Sequence, residues 1–267
     1  MSEPRSLPAP AALLRPAGLL LGLVVVVLLF LQHPSLAQLF AGVALFLLGM
    51  RYLEDGFRAF TGGALERWLA ASTDRLWKSL TFGTLSTALV QSSSLITLLS
   101  IAFLSAGLIS LTAGIGIVFG ANLGTTTGAW LIALVGLKLD LAQVGMPLLV
   151  FGVVLERNRQ ARWRGTGQVL LGIGLLFLGI DQMKAGFAGL DQVFDLAAYQ
   201  VEGWRGIALY ALLGTLATVL MQSSHATLMI TLAALASGQL DYSNALAMAV
   251  GANLGTTVTA LIAALGA

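Results

Sequence analysis

Residues 79–137 of this chain contain no Asp, Glu, Lys or Arg, and neither do residues 16–50, 206–240 or 242–267. Stretches like these cannot cover a water-exposed surface. Each is long enough for a bilayer-spanning helix, which needs about 20 mostly apolar residues. Shorter charge-free stretches lie at 141–155 and 165–180, where flanking side chains must snorkel or the bilayer must adapt. Only 10% of the chain is charged and its mean hydropathy is +0.90, whereas soluble domains carry about 25% charge. The expected class is an all-α polytopic membrane protein. The 31 glycines suit helices that pack closely in lipid. Cysteine is absent, which excludes disulfides and thiol chemistry. A net charge of +2, with no basic run interleaved with aromatics, argues against nucleic acid.

The chain repeats itself. A shift of 131 residues places Gly83-Thr84-Leu85 on Gly214-Thr215-Leu216, and Thr87 on Thr218. It also places Gln91-Ser92-Ser93 on Gln222-Ser223-Ser224, and Gly107 on Gly238. Gly120-Ala121-Asn122-Leu123-Gly124-Thr125-Thr126 falls on Gly251-Ala252-Asn253-Leu254-Gly255-Thr256-Thr257. Upstream, a shift of 130 places Gly49, Gly56 and Phe57 on Gly179, Gly186 and Phe187. Shared apolar residues would mean little in such a chain; shared Gln, Asn, Ser and Thr at fixed spacing mark a duplication. The expected division is an N-terminal segment with a first span (1–36), a first repeat core (37–137), a connecting span with a basic loop (138–165) and a second repeat core (166–267).

The blocks 79–109 and 206–240 are too long for one span and polar in the middle. Each is expected to form a re-entrant hairpin turning at its Gln-Ser-Ser motif. Spans are expected near 17–32, 37–50, 113–137, 141–156 and 166–182, with a last one from 243. Arg51, Arg58, Arg67, Arg75 and Lys78 make the connection 51–78 basic, and Arg157, Arg159, Arg162 and Arg164 do the same near 156–164. The connection 181–209 carries Asp181, Asp191, Asp195 and Glu202 against Lys184 and Arg205. The positive-inside rule then puts the N-terminus and both basic connections in the cytoplasm. Each unit has three full spans, an odd number, so the second repeat is expected to be inverted. Inverted repeats with interrupted helices are typical of secondary transporters. Arg5, Arg15, the apolar run from Ala17 to Leu31 and Ser35-Leu36-Ala37 also fit a cleavable leader. Removing it would delete the counterpart of 141–156, which favours a retained span. Residues 54–78 mix Arg58, Phe60, Leu65, Trp68, Leu69 and Trp77 as an interfacial amphipathic helix would.

Gln91, Ser92, Ser93 and Ser94, with Gln222, Ser223, Ser224 and His225, are the expected substrate-binding residues. Hydroxyls and amides converging from two hairpin tips suit a tetrahedral oxyanion, and helix N-termini favour negative charge. No Lys or Arg lies in 79–137 or 206–267. An anion among neutral donors is costly to desolvate, so bound cations are expected beside it. Asn122, Thr125, Thr126, Asn253, Thr256 and Thr257 are the candidate ligands. Carboxylate-free oxygen ligation fits a monovalent cation, sodium, better than calcium.

The doubled Gln-Ser-Ser motif, each copy followed by Gly-Ala-Asn-Leu-Gly-Thr-Thr, resembles the type II sodium/phosphate cotransporter family with its bacterial members, over roughly 37–267. The resemblance implies sodium-coupled transport of inorganic phosphate by alternating access across the inner (plasma) membrane. It implies phosphate, sodium and the bilayer as partners, with a homodimer and a soluble phosphate-regulatory protein as further ones, and no organic cofactor. It also leads one to expect further helices past Ala267. Three departures stand out: His225 replaces a third Ser, Leu95 and Ile96 replace small or hydroxyl residues, and the sequence stops at Ala267 where relatives are expected to continue.

Rival readings exist for each motif. A lone Ser in a membrane helix usually back-bonds to its own helix, but the aligned doubling turns the reading towards function. The Gly-Ala-Asn-Leu-Gly-Thr-Thr segments can serve as packing seams. His225 can be a neutral hydrogen-bonding group or a proton-sensitive one; His33 lies in a turn beside Pro34. Sulfate or a carboxylate can replace phosphate as the anion, and a non-transporting membrane regulator is a further alternative. An enzyme is not expected: Ser223 and His225 lack an orienting acid and a Gly-x-Ser-x-Gly elbow.

Overall fold

The computed structural model describes residues 22–61, 75–136, 141–191 and 201–265. Within them every regular element is a helix. The order is α1 (Gly22–Gln32), α2 (Pro34–Thr61), α3 (Leu76–Val90), α4 (Ser93–Ser105), α5 (Leu111–Gly136), α6 (Leu141–Glu156), α7 (Ala161–Asp191), α8 (Gly203–Met221), α9 (Ser224–Ala236) and α10 (Tyr242–Leu265). Among the described residues, three regions are long and apolar enough to cross a membrane: Pro34–Phe60, Ala161–Leu190 and Gly203–Met221. Large apolar side chains point outward, among them Leu220 (83% exposed) and Trp204 (74%). In water this surface would be unfavourable; against lipid it is the ordinary state.

The repeat is visible in local structure. Helix α4 ends in a Schellman motif: Gly107 takes φ +70°, its N–H bonds Leu104 O, and Leu108 N–H bonds Phe103 O. Helix α9 ends identically, with Gly238 at φ +77°, Gly238 N–H to Leu235 O and Gln239 N–H to Ala234 O. Helix α5 is capped by Ser110 and α10 by its repeat mate Asp241, whose carboxylate accepts from Asn244 N–H at 2.8 Å. The acidic residue that interrupts the charge-free C-terminal region therefore serves as a helix cap.

Two packing patterns organise the helices. Helices α2 and α7 run antiparallel, joined by glycines at seven-residue intervals. Gly42 faces Gly179, Gly49 faces Gly172, and Gly56 faces Gly165 and Val169. A methyl group on Gly49 would lie 2.8 Å from Gly172 O and Leu176 N, so any side chain here forces the helices apart. The seam is symmetric under the 130-residue shift: the pair Gly49–Gly172 maps onto Gly179–Gly42. Phe46, Leu53, Leu176, Ile180 and Met183 fill the core along it, with Ala226, Met229 and Ala233 of α9 packed on top. The second pattern pairs α3 with α5 and α8 with α10, both parallel. Gly116 sits beside Leu76 and Ser79, and Gly124 beside Thr84 and Thr87; Gly255 sits beside Thr215 and Thr218. Helix α5 thus begins beside the start of α3, and the short α4 brings the chain back between them.

The charge at Arg51 predicts an end to the second span at residue 50, and the fifth span is expected over 166–182. Both helices run further, α2 to Thr61 and α7 from Ala161 to Asp191. The glycine seam continues at Gly56 and Gly165, and Glu54 pairs with Arg58 at 2.7 Å along the same helix. Residues 54–61 thus belong to α2. Residues 62–74 of the amphipathic segment, with Leu65, Trp68 and Leu69, lie outside the described residues, as does most of the leader-like N-terminus, and Trp77 lies in the first turn of α3. The expected span 141–156 coincides with α6.

Gly179→Val is expected to destabilise the chain by about 2 kcal/mol or more through overpacking, read as a lower midpoint of thermal unfolding in detergent. Gly114→Ala, where the nearest neighbour is Leu104 at 3.8 Å, is expected to leave the midpoint unchanged.

Candidate functional site

The two Gln-Ser-Ser motifs break their helices in the same way. Gln91 ends α3 at φ 57°, ψ 25°, and Gln222 ends α8 at φ 53°, ψ 29°. They are the two non-glycine residues with positive φ among the described residues. This left-handed conformation costs a residue with a Cβ about 1–2 kcal/mol. Repetition at both copies of one motif points to a functional constraint. Each glutamine amide folds back on its own helix, Gln91 Nε2 onto Ala88 O and Gln222 Nε2 onto Val219 O at 2.6 Å. Gln91 also reaches Thr127 Oγ1 at 3.3 Å.

The next helix starts at once. Ser92 caps α4, its Oγ accepting from Leu95 N–H at 3.3 Å, and Ser223 caps α9, accepting from Ala226 N–H at 3.2 Å. A helix start leaves backbone N–H groups without intrahelical acceptors. Ser93 and Ser224 are buried in these first turns.

All eight expected substrate residues line one cavity of about 510 Å³: Gln91, Ser92, Ser93 and Ser94 from one side, Gln222, Ser223, Ser224 and His225 from the other. The two helix starts therefore border a common space. His225 occupies the repeat position of Ser94 and is 5% exposed. Its imidazole bonds the Thr125 backbone, while Nε2 is buried with no hydrogen-bond partner. A methyl group on Gly128 would stand 2.9 Å from that nitrogen and would also meet Gln91 Oε1. The two motifs thus approach each other across a bare glycine.

The six candidate cation ligands divide. Thr125 and Thr256 are buried; Thr125 meets His225 through its backbone, and Thr256 shares a narrow crevice with Ser94 and Thr97. Thr126 and Thr257 are exposed and donate to Leu123 O and Leu254 O of their own helices. Asn253 is exposed and Asn122 half-buried. Both segments lie within continuous helices, and their glycines form the contacts with α3 and α8.

Sequence reading missed the third wall of the cavity. Leu47, Met50, Arg51, Glu54 and Arg58 of α2 line it too. The inference that no basic residue stands near the motifs is therefore corrected: α2 is remote in sequence and supplies two guanidinium groups. Their spacing of three and four residues, read as one helical face continuing past Met50, would have revealed them.

The sequence pattern of the Na+/Pi-cotransporter family matches residues 45–185 and 203–267. The chain is 31% identical over 230 residues to the "Putative inorganic phosphate export protein YjbB" of Salmonella typhimurium, covering 85% of this chain and 41% of that protein. The protein of the same name from Escherichia coli K12 is 30% identical with the same coverage. "Uncharacterized protein YqeW" of Bacillus subtilis is 28% identical over 83% of this chain and 71% of its own length. The chain thus spans less than half the length of the export proteins it matches. No solved structure matches it. With the family pattern covering most of its length, both Gln-Ser-Ser motifs included, this helical membrane protein belongs to the Na+/Pi-cotransporter family.

Proposed function

We propose that the chain is the transport core of a sodium-coupled phosphate transporter. It would bind the anion between its two Gln-Ser-Ser motifs near the middle of the inner membrane and work by alternating access. The observation that carries this reading is the shared cavity: two motifs 131 residues apart, each with a left-handed glutamine and a serine-capped helix start, border one space. Hydroxyls and helix N-termini suit phosphate oxygens. The buried, unpartnered Nε2 of His225 adds another polar group in search of a partner.

The packing supports a transporter architecture. Repeat mates α2 and α7 are antiparallel, as they would be if the two halves crossed the membrane in opposite senses. The return of the chain through α4, and through α9 in the second repeat, supports re-entrant hairpins. Irregular backbone at their tips is tolerable because it borders a polar cavity. The cavity is lined by Arg51 and Arg58 of the basic segment 51–78, which supports an opening towards the cytoplasm with the N-terminus on that side. Capture from the cytoplasm agrees with the export named for the enterobacterial relatives.

Sodium now enters on a revised charge balance. Two guanidinium groups against one carboxylate leave the lining with one net positive charge. That matches a monoanion, while a phosphate dianion needs one more cation. Buried Thr125 and Thr256 are the proposed cation ligands nearest the motifs.

Two measurements test the reading. In proteoliposomes, ³²P-phosphate flux is expected to fall when choline replaces sodium, and to drop about tenfold or more in Ser92→Ala/Ser223→Ala, the loss expected when hydrogen bonds to a charged ligand vanish. Flux indifferent to both changes contradicts it, and full competition by sulfate or a carboxylate would reassign the substrate. His225→Ser is expected to keep transport and change its pH dependence; an identical pH profile removes the histidine from any protonic role.

A further inference from the structure

Two sides of the cavity are polar and uncharged; the third carries its fixed charge. Arg51, Glu54 and Arg58 fall at i, i+3 and i+7 on α2, one face of that helix, and all three line the space. They are not equivalent. Glu54 holds Arg58 at 2.7 Å, so one guanidinium is largely neutralised. Arg51 is exposed to the cavity and makes no ion pair among the described residues. The remaining lining consists of Gln, Ser, Leu and Met side chains and His225.

Resting on the reading of this cavity as an anion site, we propose that Arg51 is its charge-selecting residue and that Glu54 attenuates the site by holding Arg58. Arg51 draws small oxyanions into the opening and sets their affinity. A guanidinium suits this task because its planar fork of donors matches tetrahedral oxyanions and it stays charged throughout the working pH range. Its field is effective here because the hairpin tips opposite carry no opposing charge and the apolar walls of Leu47, Met50, Leu95 and Leu98 focus it. Glu54 prevents the site from becoming a trap: without its negative charge in the lining, the anion would be held by two net positive charges and leave slowly.

The two residues therefore have opposite predicted effects on one readout. The full chain in lipid nanodiscs is titrated with ³²P-phosphate and ³⁵S-sulfate at several salt concentrations. Arg51→Gln is expected to weaken anion binding roughly tenfold and to flatten its dependence on salt. Arg51→Lys is expected to restore most of the affinity. Glu54→Gln is expected to tighten binding, because it removes the one negative charge from the lining. A merely structural role for this turn of α2 would make Arg51→Gln and Glu54→Gln weaken binding alike. That result overturns the proposal, as does unchanged affinity in Arg51→Gln. If the chain binds sulfate but not phosphate, the phosphate reading falls, while the ordering of the variants on sulfate still decides the role of Arg51. If it binds neither anion, both readings fall.

Discussion

Each half of this chain contains a helix that breaks in the middle of apolar sequence, and a break exposes backbone groups that lipid cannot satisfy. The rest of the molecule is arranged around that constraint. Ser92 and Ser223 cap the new helix starts, the left-handed Gln91 and Gln222 close the old helix ends, and a shared cavity gives the remaining polar groups somewhere to face. The glycine seam between α2 and α7 holds the two halves together tightly enough for the breaks to meet. Packing thus positions the site, and the site in turn makes the breaks tolerable.

The duplication is not perfect, and several of its exceptions lie at or next to the site. Thr218 Oγ1 shares a 2.8 Å hydrogen bond with Thr227 Oγ1. In the first repeat the corresponding residues are Thr87 and Ile96, and the buried hydroxyl of Thr87 has no partner. Ser94 is likewise answered by His225. The charged wall is also one-sided: Arg51, Glu54 and Arg58 lie on α2, and no residue of its mate α7 lines the cavity. Two halves built on one plan therefore contribute different chemistry.

Much of this was legible in the sequence because polar residues in apolar surroundings carry information. The pairing of Gln91-Ser92-Ser93 with Gln222-Ser223-Ser224 needed only a fixed shift, and one cavity holds both. The helix caps and Schellman glycines followed the same register. The wall formed by α2 was hidden for a physical reason. Charged residues mark the end of a span in hydropathy, yet Arg51 and Arg58 sit on a helix continued by its glycine contacts with α7, and their spacing becomes meaningful only when that helix is known to be unbroken. The Gly-Ala-Asn-Leu-Gly-Thr-Thr segments were ambiguous between packing and ligation. Their glycines pack, Thr125 and Thr256 turn inward, and Thr126 and Thr257 turn out; face selection on a helix with so many small residues leaves little trace in hydropathy.

The central claim is that two remote motifs hold one anion. The chain contains no cysteine, so Ser92→Cys and Ser223→Cys each introduce a single thiol on opposite sides of the cavity. The rate at which a methanethiosulfonate reagent modifies each variant, measured against increasing inorganic phosphate, tests the claim directly. A shared site predicts that phosphate slows both reactions with the same half-maximal concentration. Protection of one position only, or of neither, would contradict it.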